Sequence, residues 1–156
     1  GDWNKYRIIP DIFSCLYSNK KIYVRNPNAI RPWQHIFDIL NFFILVIVKK
    51  NKDSTKPEIF NIAPNLKSNI RVIKLIDLIK KIGSYKKLKI IVKKNPQYES
   101  SILRLSSLNA KRKINYKPKL NLKNTIKLTI DWYDAYYKKK DVYNYSLKQL
   151  KNYFNK

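Results

Sequence analysis

Glycine is almost missing from this sequence: Gly1 and Gly83 are the only two in 156 residues. That excludes a glycine-rich phosphate cradle, because such loops need several residues without a Cβ where backbone N–H groups wrap an anion. Cysteine occurs once, as Cys15, so no internal disulfide can form. Cys15 falls on the apolar face of an expected helix, a core position rather than a reactive one. One histidine, His35, leaves no Cys/His cluster of metal-ligand spacing and gives no serine or cysteine a histidine partner. Long hydrophobic runs are also lacking. Even residues 36–48 fall short of the ~18 to 20 apolar residues of a membrane span. The chain opens with Gly and shows no basic-then-apolar leader, so no signal peptide and a cytoplasmic location are expected.

Acidic residues are scarce as well: 10 against 34 Lys and Arg, a formal charge of +24. Such a balance with 13% aromatics raises the reading of a basic nucleic-acid-binding module. The charge is mostly lysine, however, scattered as pairs such as Lys49-Lys50, Lys80-Lys81 and Lys93-Lys94 near the ends of expected elements. Asn, Ile, Tyr and Phe are favoured alongside lysine, and their codons are A/T-rich. The excess therefore reads as base composition, and a nucleic-acid partner is not expected.

What is present is a sequence of α/β type, of a length for one domain or part of one. Ile9, Ile12, Phe13, Leu16 and Tyr17 recur at helical spacing, with Pro10 and Asp11 in the first turn. Residues 22–25 read as a short strand. Residues 36–48 form a helix that is apolar nearly all round and must be covered on several sides. Residues 58–62 and 88–92 read as strands. Between them a helix capped by Ser68 or Asn69 ends at Gly83. After an irregular loop over 93–101, residues 102–105 are a brief extended piece. Ser106 or Ser107 then caps a short helix to Ile114. A longer helix follows from about Asn121, and a last one carries capping-box spacing at Ser146 and Gln149. Asp131 and Asp134, one turn apart among lysines, read as a solvated face.

One stretch stands out. Arg25-Asn26-Pro27-Asn28-Ala29-Ile30-Arg31-Pro32-Trp33-Gln34-His35 packs two arginines, two prolines and the only histidine together. The prolines fix backbone angles and remove two N–H donors, which makes a rigid loop rather than a helix or central strand. Two guanidinium groups six residues apart across a stiff turn can converge on one phosphate or carboxylate. His35 reads as a hydrogen-bond donor that fixes the loop. Taken alone, the chain lacks the parts of a complete enzyme.

The order of motifs resembles a known family. Gly1-Asp2-Trp3, Arg7-Ile8-Ile9-Pro10-Asp11, Val24-Arg25-Asn26-Pro27, Ile30-Arg31-Pro32-Trp33-Gln34-His35 and Phe60-Asn61-Ile62-Ala63-Pro64 look like the C-terminal half of CDP-glucose 4,6-dehydratases. These belong to the extended short-chain dehydrogenase/reductase family of nucleotide-sugar enzymes. The resemblance runs on through Glu99, Arg104, Tyr116, Trp132 and Gln149, across essentially the whole chain. The Arg-Pro-Trp-Gln-His segment is its most specific piece. The resemblance implies residues 1–35 and 63–156 as two segments of a substrate-binding part. Residues 36–62 would be a crossover helix and the last strand of a Rossmann sheet whose N-terminal half is missing.

It further implies an enzyme that oxidises C4 of a CDP-hexose, removes water across C5–C6 and returns hydride to C6, using NAD held upstream of this chain. The Tyr-x-x-x-Lys pair and the dehydration acids of the family also lie upstream. Hence no catalytic, cofactor-binding or metal residue is expected here, and NAD is not expected to bind this chain alone. Arg31 would hold the diphosphate. Tyr23, Val24 and Arg25 would lie along the cytosine. Arg7 and Ile8 would offer a side chain and a backbone N–H to the phosphates at a helix start. Glu99 would accept a bond from a ribose hydroxyl. Expected partners are a CDP-sugar, the missing half and, in the complete protein, a second copy; no membrane is expected. Three departures stand against the family pattern: Tyr98-Glu99-Ser100 for His-Glu-Ala, Ile62-Ala63-Pro64 for Phe-Gly-Pro, and Leu108-Asn109-Ala110 for Ser-Lys-Ala. The alternatives are a basic nucleic-acid-binding module and a non-catalytic nucleotide-sugar-binding protein.

Overall fold

Apolar residues at helical spacing build the first element, α1 (Ile8–Tyr17), with Ile12 and Phe13 fully buried. The computed structural model describes residues 2–4, 6–49, 58–93 and 100–155. β1 (Ile22–Val24) follows and runs parallel to β4 (Ile90–Val92), pairing Tyr23 with Ile91. Strand alternation buries Ile22 and Val24 and turns Tyr23 outward. β2 (Ile30–Pro32) lies antiparallel to β3 (Asn69–Arg71), with Arg31 opposite Ile70. Ile30 also bridges to Ile102, where the sequence reads as extended. The helices are α2 (Ile36–Lys49), α3 (Val72–Ile82), α4 (Leu108–Ile114), α5 (Leu122–Tyr137) and α6 (Val142–Phe154). The result is α/β, as the sequence pattern implies. None of the described helices is long and apolar enough to cross a membrane.

Three local expectations change. Ser68 and Asn69 do not cap α3: residues 66–68 form a 3-10 turn and 69–71 a strand, and the helix starts at Val72. Its first donors are satisfied from elsewhere in the chain. The Val72 N–H bonds to the Ala29 carbonyl at 3.0 Å and the Ile73 N–H to the Pro27 carbonyl at 2.9 Å. Ser146 lies inside α6, which starts a turn earlier, where the Asp141 carboxylate accepts the Asn144 N–H at 3.0 Å. The Ser146 hydroxyl instead donates to the Val142 carbonyl at 2.7 Å and accepts the Trp132 indole N–H at 2.9 Å. Residues 58–62 have no ladder partner among the described residues and lean on α2 through Phe60 and Ile62. Gly83 does end α3, but with ordinary helical angles; Ser84 takes the left-handed conformation at φ 56°. Glycine is needed there because a Cβ would run into the Tyr85 ring.

The main core joins α1, β1, α3 and α5 through Phe13, Ile22, Leu75, Ile76, Ile79 and Ile130. Cys15 packs half-buried against this core, and burial pushes its thiol up. Asp134 is not merely a solvated acid. It accepts bonds from the hydroxyls of Tyr17, at 2.8 Å, and Tyr85, which tie α1 and the turn after α3 to α5. Burial and that carboxylate push both phenols up. Asp131 pairs with Lys127 at 3.1 Å on the outside of the same helix. A second cluster packs Phe42 of α2 on Ala110, Ile114 and Tyr116. A third packs Phe37 on Leu120 and Tyr153.

Between these clusters sits Asp38, 1% exposed. It accepts the Lys119 N–H at 2.9 Å and the Tyr153 hydroxyl at 2.8 Å, fastening α2 to α6 and to the turn before α5. His35 stands just before α2 and serves as an acceptor rather than the expected donor: its Nδ1 takes the Phe37 N–H at 3.2 Å. An imidazolium could not accept that bond, and burial depresses the His35 pKa from 6.5 to about 4.

Two stability predictions follow from these bonds. Asp38→Ala strands one buried donor, the Tyr153 hydroxyl, and one part-buried donor, the Lys119 N–H, so unfolding in urea should show a loss on the order of 2 kcal/mol. The neutral imidazole adds stability that is whole above pH 6.5 and lost as pH falls toward 4, about 3 kcal/mol for that displacement. Since the chain has one histidine, a single imidazole proton resonance reads it. Titration near 6.5 in the folded protein would contradict the assignment.

Candidate functional site

The stiff segment after β1 is held by backbone bonds on all sides. The Ala29 N–H closes a turn onto the Asn26 carbonyl at 3.2 Å, and the Pro27 and Ala29 carbonyls receive α3. The Ile30 N–H bonds to the Ser101 carbonyl at 2.9 Å, and the Trp33 N–H to the Ser68 carbonyl at 3.2 Å. The Trp33 indole N–H reaches the Ile70 carbonyl at 3.1 Å. So anchored, the segment forms one wall of a cleft of about 550 Å3. The start of α1 and the residues before it form the facing wall.

The cleft brings together Arg7, Ile8, Tyr23, Val24, Arg25 and Arg31, the six expected binding residues that lie among the described ones. Glu99, the seventh, lies outside the described residues. Strand pairing explains part of this convergence. Alternation along β1 turns Tyr23 out of the core, and β2 presents Arg31. The Arg31 Nη1 donates to the Ile30 carbonyl at 2.9 Å, which limits the sweep of its head group.

Asp2, Tyr6, Asp11, Asn26 and Trp33 line the cleft as well but lie outside the expected binding set, although all except Tyr6 stand in the motifs of the resemblance. Asp2 pairs with Arg7 at 3.0 Å. Its carboxyl is held below the usual range, first by the Asn4 N–H and then by Arg7. Asp2 is itself fixed to α5, where its carbonyl accepts the Tyr133 hydroxyl at 2.8 Å. The Trp3 ring packs there on Tyr136, with centroids 4.4 Å apart. Burial raises the Asp11 pKa, against the pull of Arg25 and the Tyr6 N–H. Three guanidinium groups against two carboxylates (3 − 2) leave the lining with one net positive charge. Planar donors and flat rings around an open volume of this size suit an anion attached to a planar group.

A second cavity of about 370 Å3 shares Asp2, Ile9 and Trp33 with the first and extends along α5 past His35 and Trp132. Its lining is mostly apolar. The indole N–H of Trp132 and the side-chain amide of Gln149 already bond within the protein, the latter to the Leu128 carbonyl at 3.0 Å.

No protein-family profile matches the sequence. Over 156 residues the chain is 26% identical to a CDP-glucose 4,6-dehydratase of Salmonella typhimurium, covering 99% of this chain and 44% of that protein. The chain thus spans less than half the length of the curated relative, and matches its C-terminal portion. Among solved structures, a UDP-glucuronic acid 4-epimerase of Bacillus cereus, in complex with UDP-glucuronic acid and NAD, aligns at a TM-score of 0.72 and 14% identity. That alignment covers 84% of this chain and 40% of the epimerase. A dTDP-glucose 4,6-dehydratase of Bacillus anthracis in complex with NAD aligns at 0.71 and 16% identity, covering 86% and 41%. The chain therefore has the fold of part of an extended short-chain dehydrogenase/reductase, and in sequence it resembles the C-terminal portion of a CDP-glucose 4,6-dehydratase.

Proposed function

We propose that this chain is the nucleotide-sugar-binding portion of a CDP-glucose 4,6-dehydratase-like enzyme, which converts CDP-glucose to CDP-4-keto-6-deoxyglucose. The observation that carries the reading is the meeting of Arg7, Arg25 and Arg31 with Tyr23 in one cleft. Arg31 grips the diphosphate through its planar fork. Arg7 and the free N–H groups at the start of α1 face the same charge. Tyr23, Val24 and Arg25 lie along the base, and Glu99 takes a ribose hydroxyl.

NAD has no fit in this chain. A dinucleotide cradle needs closely spaced glycines, and the two present are Gly1 and Gly83. No catalytic step is assigned to any residue here, and the chain is a fragment that does not turn over substrate by itself.

The missing half is an α/β domain that covers the outer side of α2. Phe43, Ile44, Ile47 and Val48 stand on that side, with Ile47 78% exposed. Four large apolar side chains on one helix face call for a partner surface.

Calorimetry should find saturable binding of CDP in preference to dTDP, with weak salt dependence. Arg31→Ala should weaken CDP about ten- to a hundredfold, the range for a charge-assisted pair, without lowering the melting temperature. Equal affinity for CDP and dTDP would remove the cytidine assignment. A salt slope steep enough for many released counterions would replace it with a polyanion surface. The isolated chain should also self-associate through α2. A Phe43→Lys/Ile47→Lys variant should reduce the sedimenting species toward monomer; a parent chain that is already monomeric and melts cooperatively would contradict the missing-domain reading.

A further inference from the structure

Tyr6 is built against its own backbone preference. It has φ 67°, in the left-handed region that a bulky side chain rarely enters. The Tyr6 N–H lies on the side of the Asp11 carboxylate and opposes the rise of its pKa. The Tyr6 carbonyl accepts Arg25 Nη2 at 3.0 Å. The peptide group that follows the strained residue is thus held by a side chain of the stiff segment. The ring itself is 76% exposed, so no core packing compensates for the strain. It lines the cleft, with the Arg25 guanidinium carbon 5.6 Å from its centroid.

Strain held by the Arg25 bond, around a side chain that buries almost nothing, marks a residue kept for what it presents. We infer that Tyr6 and the Arg25 guanidinium above it form a preorganised flat wall that stacks on the base of the bound nucleotide. This rests on the nucleotide-binding reading and deepens it. The chemistry fits the partner: a planar nitrogen heterocycle stacks on an aromatic face or a guanidinium plane. Arg31 then serves the diphosphate, and Tyr6 the base at the far end of the same ligand. Because the wall is fixed before the ligand arrives, little side-chain entropy remains to be lost on binding. Stacking is also sequence-tolerant, so Tyr6 sets affinity for the base as a class and does not by itself separate cytosine from thymine.

The test uses the 156-residue chain with two titrants, CDP and inorganic pyrophosphate. Tyr6→Gly should raise the melting temperature, because glycine adopts this φ freely, while weakening CDP about ten- to a hundredfold. Tyr6→Phe should keep parental affinity for CDP, since the ring and not the hydroxyl does the stacking. Pyrophosphate should bind all three proteins alike. A Tyr6→Gly protein that binds CDP like the parent overturns the inference and leaves the diphosphate site standing. Equal losses for CDP and pyrophosphate also overturn it, because Tyr6 would then act by shaping the phosphate end. A parent chain that binds neither titrant overturns the nucleotide reading and the inference with it.

Discussion

The carbonyls of Pro27 and Ala29 accept the first two N–H groups of α3, and the rest of the molecule is arranged on that junction. A helix start leaves donors without partners inside the helix, and these must be met somewhere. Here a proline-stiffened turn meets them with main-chain atoms, so α3 needs no side-chain cap. The same turn carries Arg25 at its entrance and Arg31 at its exit. α3 is packed in the main core through Leu75, Ile76 and Ile79, so the turn is fixed to the most deeply buried part of the protein. The placement of the cleft arginines is thus set by backbone bonding to the core.

The other wall gets its rigidity by a different route. None of the described residues before α1 pairs as a strand. Instead the Tyr133 hydroxyl holds the Asp2 carbonyl, and Trp3 settles among the aromatic rings of α5. Asp2 in turn holds Arg7, and Arg25 holds the Tyr6 carbonyl. The carboxylates lower the net charge of the cleft but fix the direction of its donors. Exposed ion pairs of this kind add little stability; their effect is orientation.

Departures from the sequence pattern share a cause. Ser68, Asn69 and Ser146 carry the right chemistry to cap helices, yet the caps come from elsewhere or from a residue one turn away. Local hydrogen-bonding propensity ranks candidates, and contacts distant in sequence choose among them. Asp38 and Asp134 show the same limit. Each looks like a polar interruption on a helix, and each turns out to accept tyrosine hydroxyls from other elements. His35 was legible as a loop-fixing group, but the side of the bond it takes depends on burial and on the start of α2.

What the sequence alone determined was local and periodic. Apolar spacing marked α1, α2, α3 and α5, and paired prolines marked the rigid turn, since backbone sterics act within a few residues. The family resemblance also named six residues that line the cleft; Glu99, the seventh, lies outside the described part. Only the tertiary structure decided that Asp2, Tyr6, Asp11 and Trp33 join them. Asp2, Tyr6 and Trp33 reach the site through bonds to Tyr133, Arg25 and Ile70, partners brought near by core packing and not by sequence spacing. Tertiary structure also decided which side of the nearly all-apolar α2 lies bare, because a helix with no polar face carries no instruction about its own orientation.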